Sequence, residues 1–198
     1  KFIYQLAALF IPLTVYVVTL APSVTFIDSG ELATVAVKLA VAHPTGYPLY
    51  LILARLFQFI PIGSLAFRTN LMSALFAVLS AVLLYRIVSR SLDDLGFEHT
   101  WFVGMTAGFA FGLSPLLWSQ AVVTEVYTLQ AFLTVSILYL YIFPFRGLEQ
   151  KRLERLRGLV LGLAMGNHVT TVFLIPLAFF SGITKRKGER VLENPGSF

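Results

Sequence analysis

Five stretches of this chain, 2–27, 69–85, 100–124, 126–145 and 158–184, contain no Asp, Glu, Lys or Arg. At a rise of ~1.5 Å per helical residue, each approaches or exceeds the ~30 Å hydrocarbon thickness of a bilayer. Apolar residues gathered this way form runs, not the amphipathic stripes of a soluble bundle. Composition agrees: of 198 residues, 57% are apolar, 14% aromatic and 13% charged, against about 25% charged in ordinary soluble domains. The mean hydropathy is +0.80. An ordinary water-soluble globule is excluded, and the expected fold class is an all-α integral membrane protein. Cysteine is absent, which removes disulfides, thiolate metal sites and cysteine nucleophiles. The first run reads as a permanent helix, because Lys1 alone is a poor signal-peptide n-region and no small-residue cleavage site follows.

Orientation follows from Lys and Arg, which concentrate in cytoplasmic loops. With Lys1 inside, successive crossings place Arg86 and Arg90 inside, followed by Arg146, Lys151, Arg152, Arg155 and Arg157. A single crossing of 158–184 would then put Lys185, Arg186, Lys187 and Arg190 outside. The conflict disappears if that run is a hairpin turning at Gly166-Asn167-His168, facing a protein-lined or wet cavity. Twelve of the fifteen basic residues then lie inside, and the net charge of +5 is accounted for by topology. No basic, aromatic-interleaved surface supports a nucleic-acid partner. The expected organisation is a transmembrane domain over 1–184, part of a longer protein, with 185–198 a cytoplasmic tail or the start of another loop.

The outer segment from Ala21 to Arg68 reads as two short interfacial helices, about Ser29 to Val41 and Pro48 to Ile60. The breaker run His43-Pro44-Thr45-Gly46-Tyr47-Pro48 separates them. Glycine recurs every four residues at Gly104, Gly108 and Gly112 and at Gly158, Gly162 and Gly166, a spacing that lets helix backbones approach closely. These two faces are expected to touch each other, or each to seat a neighbour.

Asp28-Ser29-Gly30-Glu31 places two carboxylates just outside the first run. One reading is a capping box, with Asp28 at the N-cap and Glu31 completing it. Glu125, His43 and His168 share the expected outer face, each beside a break or span end, and ionisable groups there are functional candidates. Glu125 can equally be a first-turn acid with Thr124 as cap, and His43 a turn anchor. Arg55 and Arg68 either snorkel to headgroups or hold a phosphate. Tyr47, Tyr50, Trp118 and Tyr127 suit an interfacial aromatic belt, with a role in an acceptor groove left open. No nucleotide-phosphate loop is present. The histidines and carboxylates are metal-ligand types, but no tight ligand spacing supports a metal; cofactors are left unassigned.

The ordered segments from Ala21 to Glu31, His43 to Tyr50, Arg68 to Ala74, Glu125-Val126-Tyr127 and Gly166-Asn167-His168 closely resemble the protein O-mannosyltransferase-like membrane family. The resemblance runs from about Thr19 to Pro176. It implies a GT-C-type glycosyltransferase, a multi-spanning helical bundle whose long first outer loop supplies the catalytic carboxylate. The implied donor is a polyprenyl-phosphate sugar, mannose-like, and the acceptor a protein hydroxyl on the periplasmic, exterior or lumenal face. Carried onto this chain, Asp28 is the base with Glu31 beside it. The remaining candidates, His43, Tyr47, Arg55, Arg68, Glu125, Tyr127, Asn167 and His168, are expected to contact substrate. Oligomeric state is not indicated. The competing readings are a transporter or flippase-like module built on the broken hairpin, and an assembly subunit using its glycine ladders.

Overall fold

The computed structural model describes residues 2–25, 28–143, 145 and 149–177. Those residues are helical, with no strand among them: α1 (Phe2–Val18), α2 (Ser29–Lys38), α3 (Pro48–Phe57), α4 (Leu65–Asp94), α5 (Thr100–Gly112), α6 (Pro115–Ala121), α7 (Tyr127–Ile142) and α8 (Gln150–Met165), then a 3-10 helix at Val169–Leu174. Of the expected basic loops, Lys1, Arg146, Lys185, Arg186, Lys187 and Arg190 lie outside the described residues, as do the end of the first run and the hairpin's return to Thr184.

α4 is the axis of the bundle, packing against α1, α2, α3, α5, α6 and α7. The Ser64 hydroxyl caps its start, accepting the Phe67 N–H at 3.1 Å. Small buried residues on several sides (Ala66, Ser73, Ala74, Ala77, Ser80 and Ala81) let neighbours come close. The helix extends beyond the uncharged run 69–85 at both ends, because a charge marks where a helix can leave lipid, not where its backbone must stop. Among the described residues α4 alone is long and apolar enough to cross a membrane as one helix. α5 and α6 pass that test only together, and α1, α3 and α7 are apolar but shorter.

The run 100–124, expected as one crossing, is broken instead. Its two helices are bent by 62° at Ser114-Pro115. Pro115 brings no N–H to continue the α5 ladder, and the Ser114 hydroxyl caps α6 by accepting the Leu117 N–H at 3.3 Å. The expected turn at Gly166-Asn167-His168 is present, with a 3-10 helix beginning the second arm.

The two glycine ladders differ. Thr100, Gly104, Gly108 and Gly112 are the buried residues of α5, one per turn. A Cβ on Gly104 would overlap the Ser89 hydroxyl and lie 2.9 Å from the Tyr85 carbonyl of α4; one on Gly108 would lie 3.1 Å from the Ala81 carbonyl. The Tyr16 hydroxyl donates to the Gly112 carbonyl, closing α1 onto the same seam. Gly158 and Gly162 have nothing within 4 Å of such a Cβ. Gly158 and Gly162 therefore seat no neighbour among the described residues, and the expectation is corrected for them: four-residue spacing permits close approach without supplying the partner.

Polar groups segregate along the bundle axis. At one end, Asn70 of α4 donates to the Ala21 (2.8 Å) and Ser23 (3.3 Å) carbonyls and accepts from Thr124 at 2.5 Å, while Thr69 meets Thr124 at 2.6 Å. At the other, Arg86 bonds Gln5 of α1, Arg90 bonds Tyr139 of α7, and Arg157 of α8 donates twice to the Leu140 carbonyl at 2.9 and 2.7 Å.

The glycine seam sets a paired expectation for the full-length protein in detergent. Gly104→Ala should lose about 1–3 kcal/mol to overpacking, read as a fall in thermal midpoint. Gly162→Ala should be neutral or slightly stabilising, because alanine is the better helix former and meets no neighbour.

Candidate functional site

Asp28 stands at the N-cap of α2 and Glu31 in its first turn, and the capping box, one of the two readings for this pair, does not form. Asp28 has helical backbone angles, φ −76° and ψ −15°, and its side chain makes no cap bond. A capping residue needs an extended backbone to aim its oxygen at the orphan N–H groups. The Asp28 carboxylate is thus released from the helix start. The alternative cap at α7 is likewise absent: Val126 holds the N-cap position without a side-chain bond, and Thr124 is spent on Asn70 and Thr69.

Glu31 reaches across to the breaker segment. One oxygen accepts the His43 backbone N–H at 2.8 Å and the other meets His43 Nδ1 at 3.0 Å. An ionised carboxylate has no proton to give, so Nδ1 carries the hydrogen, and in the neutral ring Nε2 is an acceptor. The Tyr47 hydroxyl lies 3.2 Å from Nε2, and the nearer oxygen of Asp28 3.9 Å from it. Gly46, at φ +86°, turns the chain here and donates its N–H to the His43 carbonyl at 2.8 Å. Tyr47 follows at φ +46°, a left-handed conformation costly for a tyrosine, before Pro48 opens α3. Asp28, Glu31 and His43 remain 36–41% exposed at their side chains, so the cluster is open to a ligand.

An aromatic wall adjoins it. The buried Tyr47 ring lies nearly parallel to His168, 6.1 Å away and inclined by 13°, and Tyr127 meets His168 at 5.6 Å. His168 caps the 3-10 helix: its Nδ1 accepts the Thr170 N–H at 3.3 Å and lies 2.9 Å from the Thr170 hydroxyl. Asn167 sits behind this wall, buried, with its amide donating to Gln130 at 3.0 Å and the Val126 carbonyl at 3.4 Å. It fixes the turn that presents His168. The turn is held from the other side by the Leu49 N–H, which donates to the Gly166 carbonyl at 3.2 Å.

Glu125 is half-buried, its backbone N–H and carbonyl both 3.4 Å from the Ser73 hydroxyl of α4. Burial, and then the charge of Asp28, raise its carboxyl above the ordinary value. Glu31 moves the other way, lowered first by the His43 backbone N–H and then by the His43 ring.

Arg55 and Arg68 do not join the carboxylates. Arg55 donates to the Val37 carbonyl at 2.8 Å and lies over the Phe59 ring, tying α3 to α2. Arg68 donates to the carbonyls of Ile62 (2.9 Å), Gln58 (2.6 Å) and Gly63 (3.3 Å), bracing the α3–α4 connection. Among the described residues no Lys or Arg pairs with Asp28, Glu31 or Glu125. Residues that position the site but escaped the sequence reading are Ser73, Gln130 and the Asn70 amide. Their signal was available: uncompensated polar side chains inside otherwise apolar runs.

Oxygen or nitrogen atoms of Asp28, Glu31 and His43 lie within 4.8 Å of one another, a donor set that suits a divalent cation. The fold assembles it from residues twelve and fifteen positions apart, which linear ligand spacing does not reveal. Both Glu31 oxygens already accept from His43, so coordination through Glu31 would sacrifice those bonds.

Comparison with known proteins adds an independent line. Residues 28–191 match the family model described as the protein O-mannosyl-transferase TMEM260 N-terminal domain. A mouse protein named protein O-mannosyl-transferase TMEM260 is 36% identical over 166 residues, covering 81% of this chain and 23% of its own length. A Dictyostelium discoideum protein of the same name is 30% identical over 189 residues, covering 87% of this chain and 22% of its own. The chain thus spans less than a quarter of the curated relatives it matches. No solved structure matches it.

The opposed carboxyl shifts predict opposite pH signatures. Glu31, depressed in the fold, contributes stability above the ordinary carboxyl value of 4.5 that is lost as pH falls through its folded value. Glu31→Gln should therefore lower the thermal midpoint of the full-length protein at pH 7. Glu125, raised in the fold, disfavours folding while ionised, so Glu125→Gln should hold or raise the midpoint at pH 7. The Glu125 difference should fade as pH falls through its raised folded value toward 4.5, and the Glu31 difference only below 4.5.

Proposed function

This chain belongs to the protein O-mannosyl-transferase TMEM260 N-terminal domain family, and from that premise we propose that it forms the catalytic-loop portion of a membrane glycosyltransferase. The reaction is transfer of a mannose-like sugar from a polyprenyl-phosphate donor to a protein hydroxyl on the non-cytoplasmic face. The helices from α1 onward form the N-terminal part of a multi-spanning GT-C-like bundle, broken at Ser114-Pro115 and at the Gly166 turn. Apolar side chains left exposed along it, including Val18, Leu116 and Phe173, each about 80% exposed, suit contact with lipid or with the rest of the full-length protein.

One observation carries the assignment of the site. Asp28 is free of the helix cap and stands 3.9 Å from a histidine whose orientation Glu31 fixes at both backbone and ring. An alcohol has too high a pKa to attack unaided; a positioned carboxylate takes its proton as the new C–O bond forms. Asp28 fills that role, and Glu31 is a positioning residue acting through His43. The sugar C1–O bond to phosphate breaks as the acceptor oxygen bonds C1, and the electron pair leaves on the phosphate. In neutral His168 the acceptor Nδ1 leaves the hydrogen on Nε2, which gives this face a donor for the departing oxygen. His168 and the exposed Tyr127, backed by the buried Tyr47, give the apolar face of a sugar ring a surface to lie against. The names of the relatives favour this reading over a transporter-like module.

The test is Asp28→Asn in the full-length protein, supplied with radiolabelled polyprenyl-phosphate mannose and a protein acceptor. Transfer should fall by about a hundredfold or more, the contribution of a general base, while the thermal midpoint and donor binding stay as in wild type. Transfer at the wild-type rate would remove Asp28 as base.

A further inference from the structure

At the end of the bundle opposite the carboxylates, two clefts between α1, α4 and α7 lie side by side. The first, about 260 Å³, is polar and lined by Gln5, Tyr85, Arg86, Ser89, Arg90, Asp93 and Tyr139. The second, about 370 Å³, is apolar and lined chiefly by Leu6, Leu9, Leu79, Val82, Leu83 and Phe132. Gln5 and Arg86 line both, so the two adjoin at the Arg86–Gln5 pair.

Their polarity changes along the helix axis. On α4 the polar part is lined between Tyr85 and Asp93 and the apolar part between Leu79 and Arg86; on α7 the step from Tyr139 to Phe132 is seven residues, about 10 Å of helix. On α1 the cleft passes inward from Gln5 to Leu9. The polar part thus lies at the tip of the bundle and the apolar part deeper in. A phospholipid standing in one leaflet has the same gradient and direction.

The polar end is built for an anion. Arg86 is exposed and its one bond is to a neutral group, the Gln5 side-chain oxygen, at 3.1 Å. Arg90 donates to the Tyr139 hydroxyl at 3.3 Å and lies 4.5 Å over the Phe143 ring. Asp93 at the rim accepts the Thr100 hydroxyl at 2.6 Å. Among the described residues that line this cleft are two guanidinium groups and one carboxylate, Arg90 and Asp93 each having further partners, and guanidinium forks suit phosphate oxygens. Some 24 Å of helix separate Asn70 at the catalytic end from Arg86, which places the cleft apart from the proposed sugar transfer.

We propose that this cleft holds an anionic glycerophospholipid, its phosphate at Arg86 and Arg90 and an acyl chain among Leu6, Leu9, Leu79, Val82, Leu83 and Phe132. Basic pockets between helices at a membrane face are suited to such headgroups. The lipid would wedge α1, α4 and α7 together at the end where α1 reaches α4 through the Arg86–Gln5 bond.

The test uses the full-length protein in a neutral detergent, with phosphatidylglycerol or phosphatidylcholine added and retained lipid counted by native mass spectrometry. Phosphatidylglycerol should be retained over phosphatidylcholine, and Arg86→Gln should weaken that retention about fivefold, the worth of one arginine at an anionic surface. Val82→Phe, which fills the apolar part, should weaken retention of phosphatidylglycerol while leaving the thermal midpoint in lipid-free detergent near wild type. Leu79→Phe serves as the second filling variant if the first fails to fold. Equal retention of both lipids, unchanged retention in Arg86→Gln, or displacement by water-soluble glycerophosphoglycerol at comparable concentration would each overturn the proposal. The last result would mark a free-anion site. Preferential retention of polyprenyl phosphate would overturn it too, making the cleft a second donor site.

Discussion

The side chain of Asn70 is the joint on which the candidate site depends. One amide serves three segments: its nitrogen donates to two carbonyls of the chain leaving α1, and its oxygen accepts from Thr124 ahead of α7. In a buried, low-dielectric setting an unmade bond costs more than a made one contributes, so the three segments are held together or exposed together. The segment from Ala21 leads to Asp28, and the one from Thr124 leads directly to Glu125. A single side chain in the second turn of α4 thereby sets how far apart two carboxylates from distant parts of the sequence stand. Gln130 does the same one layer over, joining Asn167 to Thr171 so that the His168 turn keeps its place against Tyr47 and Tyr127.

Much of the helical layout was legible in the sequence, because uncharged runs and glycine or proline breaks are local signals. The starts of α2 and α3 and the turn at Gly166 followed from them, while both helices end three residues before the expected Val41 and Ile60. The break in 100–124 carried a local signal too, Ser-Pro, but the surrounding apolar residues masked it: hydropathy reports what a segment is dissolved in, while proline reports what its backbone can continue. Gly158 and Gly162 show the reverse failure, a spacing without a partner. Close packing needs a second surface, and a single sequence does not say where that surface is.

The candidate site was legible as a list and illegible as a mechanism. Asp28, Glu31, His43, Tyr47 and His168 were all named, yet their division of labour depends on geometry. The spacing of Asp28 and Glu31 fits a capping box as well as a catalytic pair, and the backbone angles at Asp28 decide against the box. Glu31 then becomes the clamp on a histidine twelve residues away, at the head of the proline turn, and nothing in the spacing signals the contact. Arg55 and Arg68, chosen for their charge, are drawn instead to carbonyls left without partners where short helices end.

That diversion of arginine has a consequence for how the proposed phosphate-linked donor would reach the site. Asp28, Glu31 and Glu125 gather on one face, and no Lys or Arg pairs with them among the described residues. Such a face repels a freely diffusing phosphate ester, and two histidines offer little compensating charge when neutral. A donor anchored in the bilayer escapes this penalty, because the burial of its hydrocarbon chain supplies the affinity and leaves the headgroup only to be oriented. The Asp28 carboxylate, free of the helix cap, is the acceptor proposed for the alcohol proton. An acidic face is a poor choice for capturing phosphate from solution and a suitable one for deprotonating an alcohol beside a phosphate held in place by its lipid.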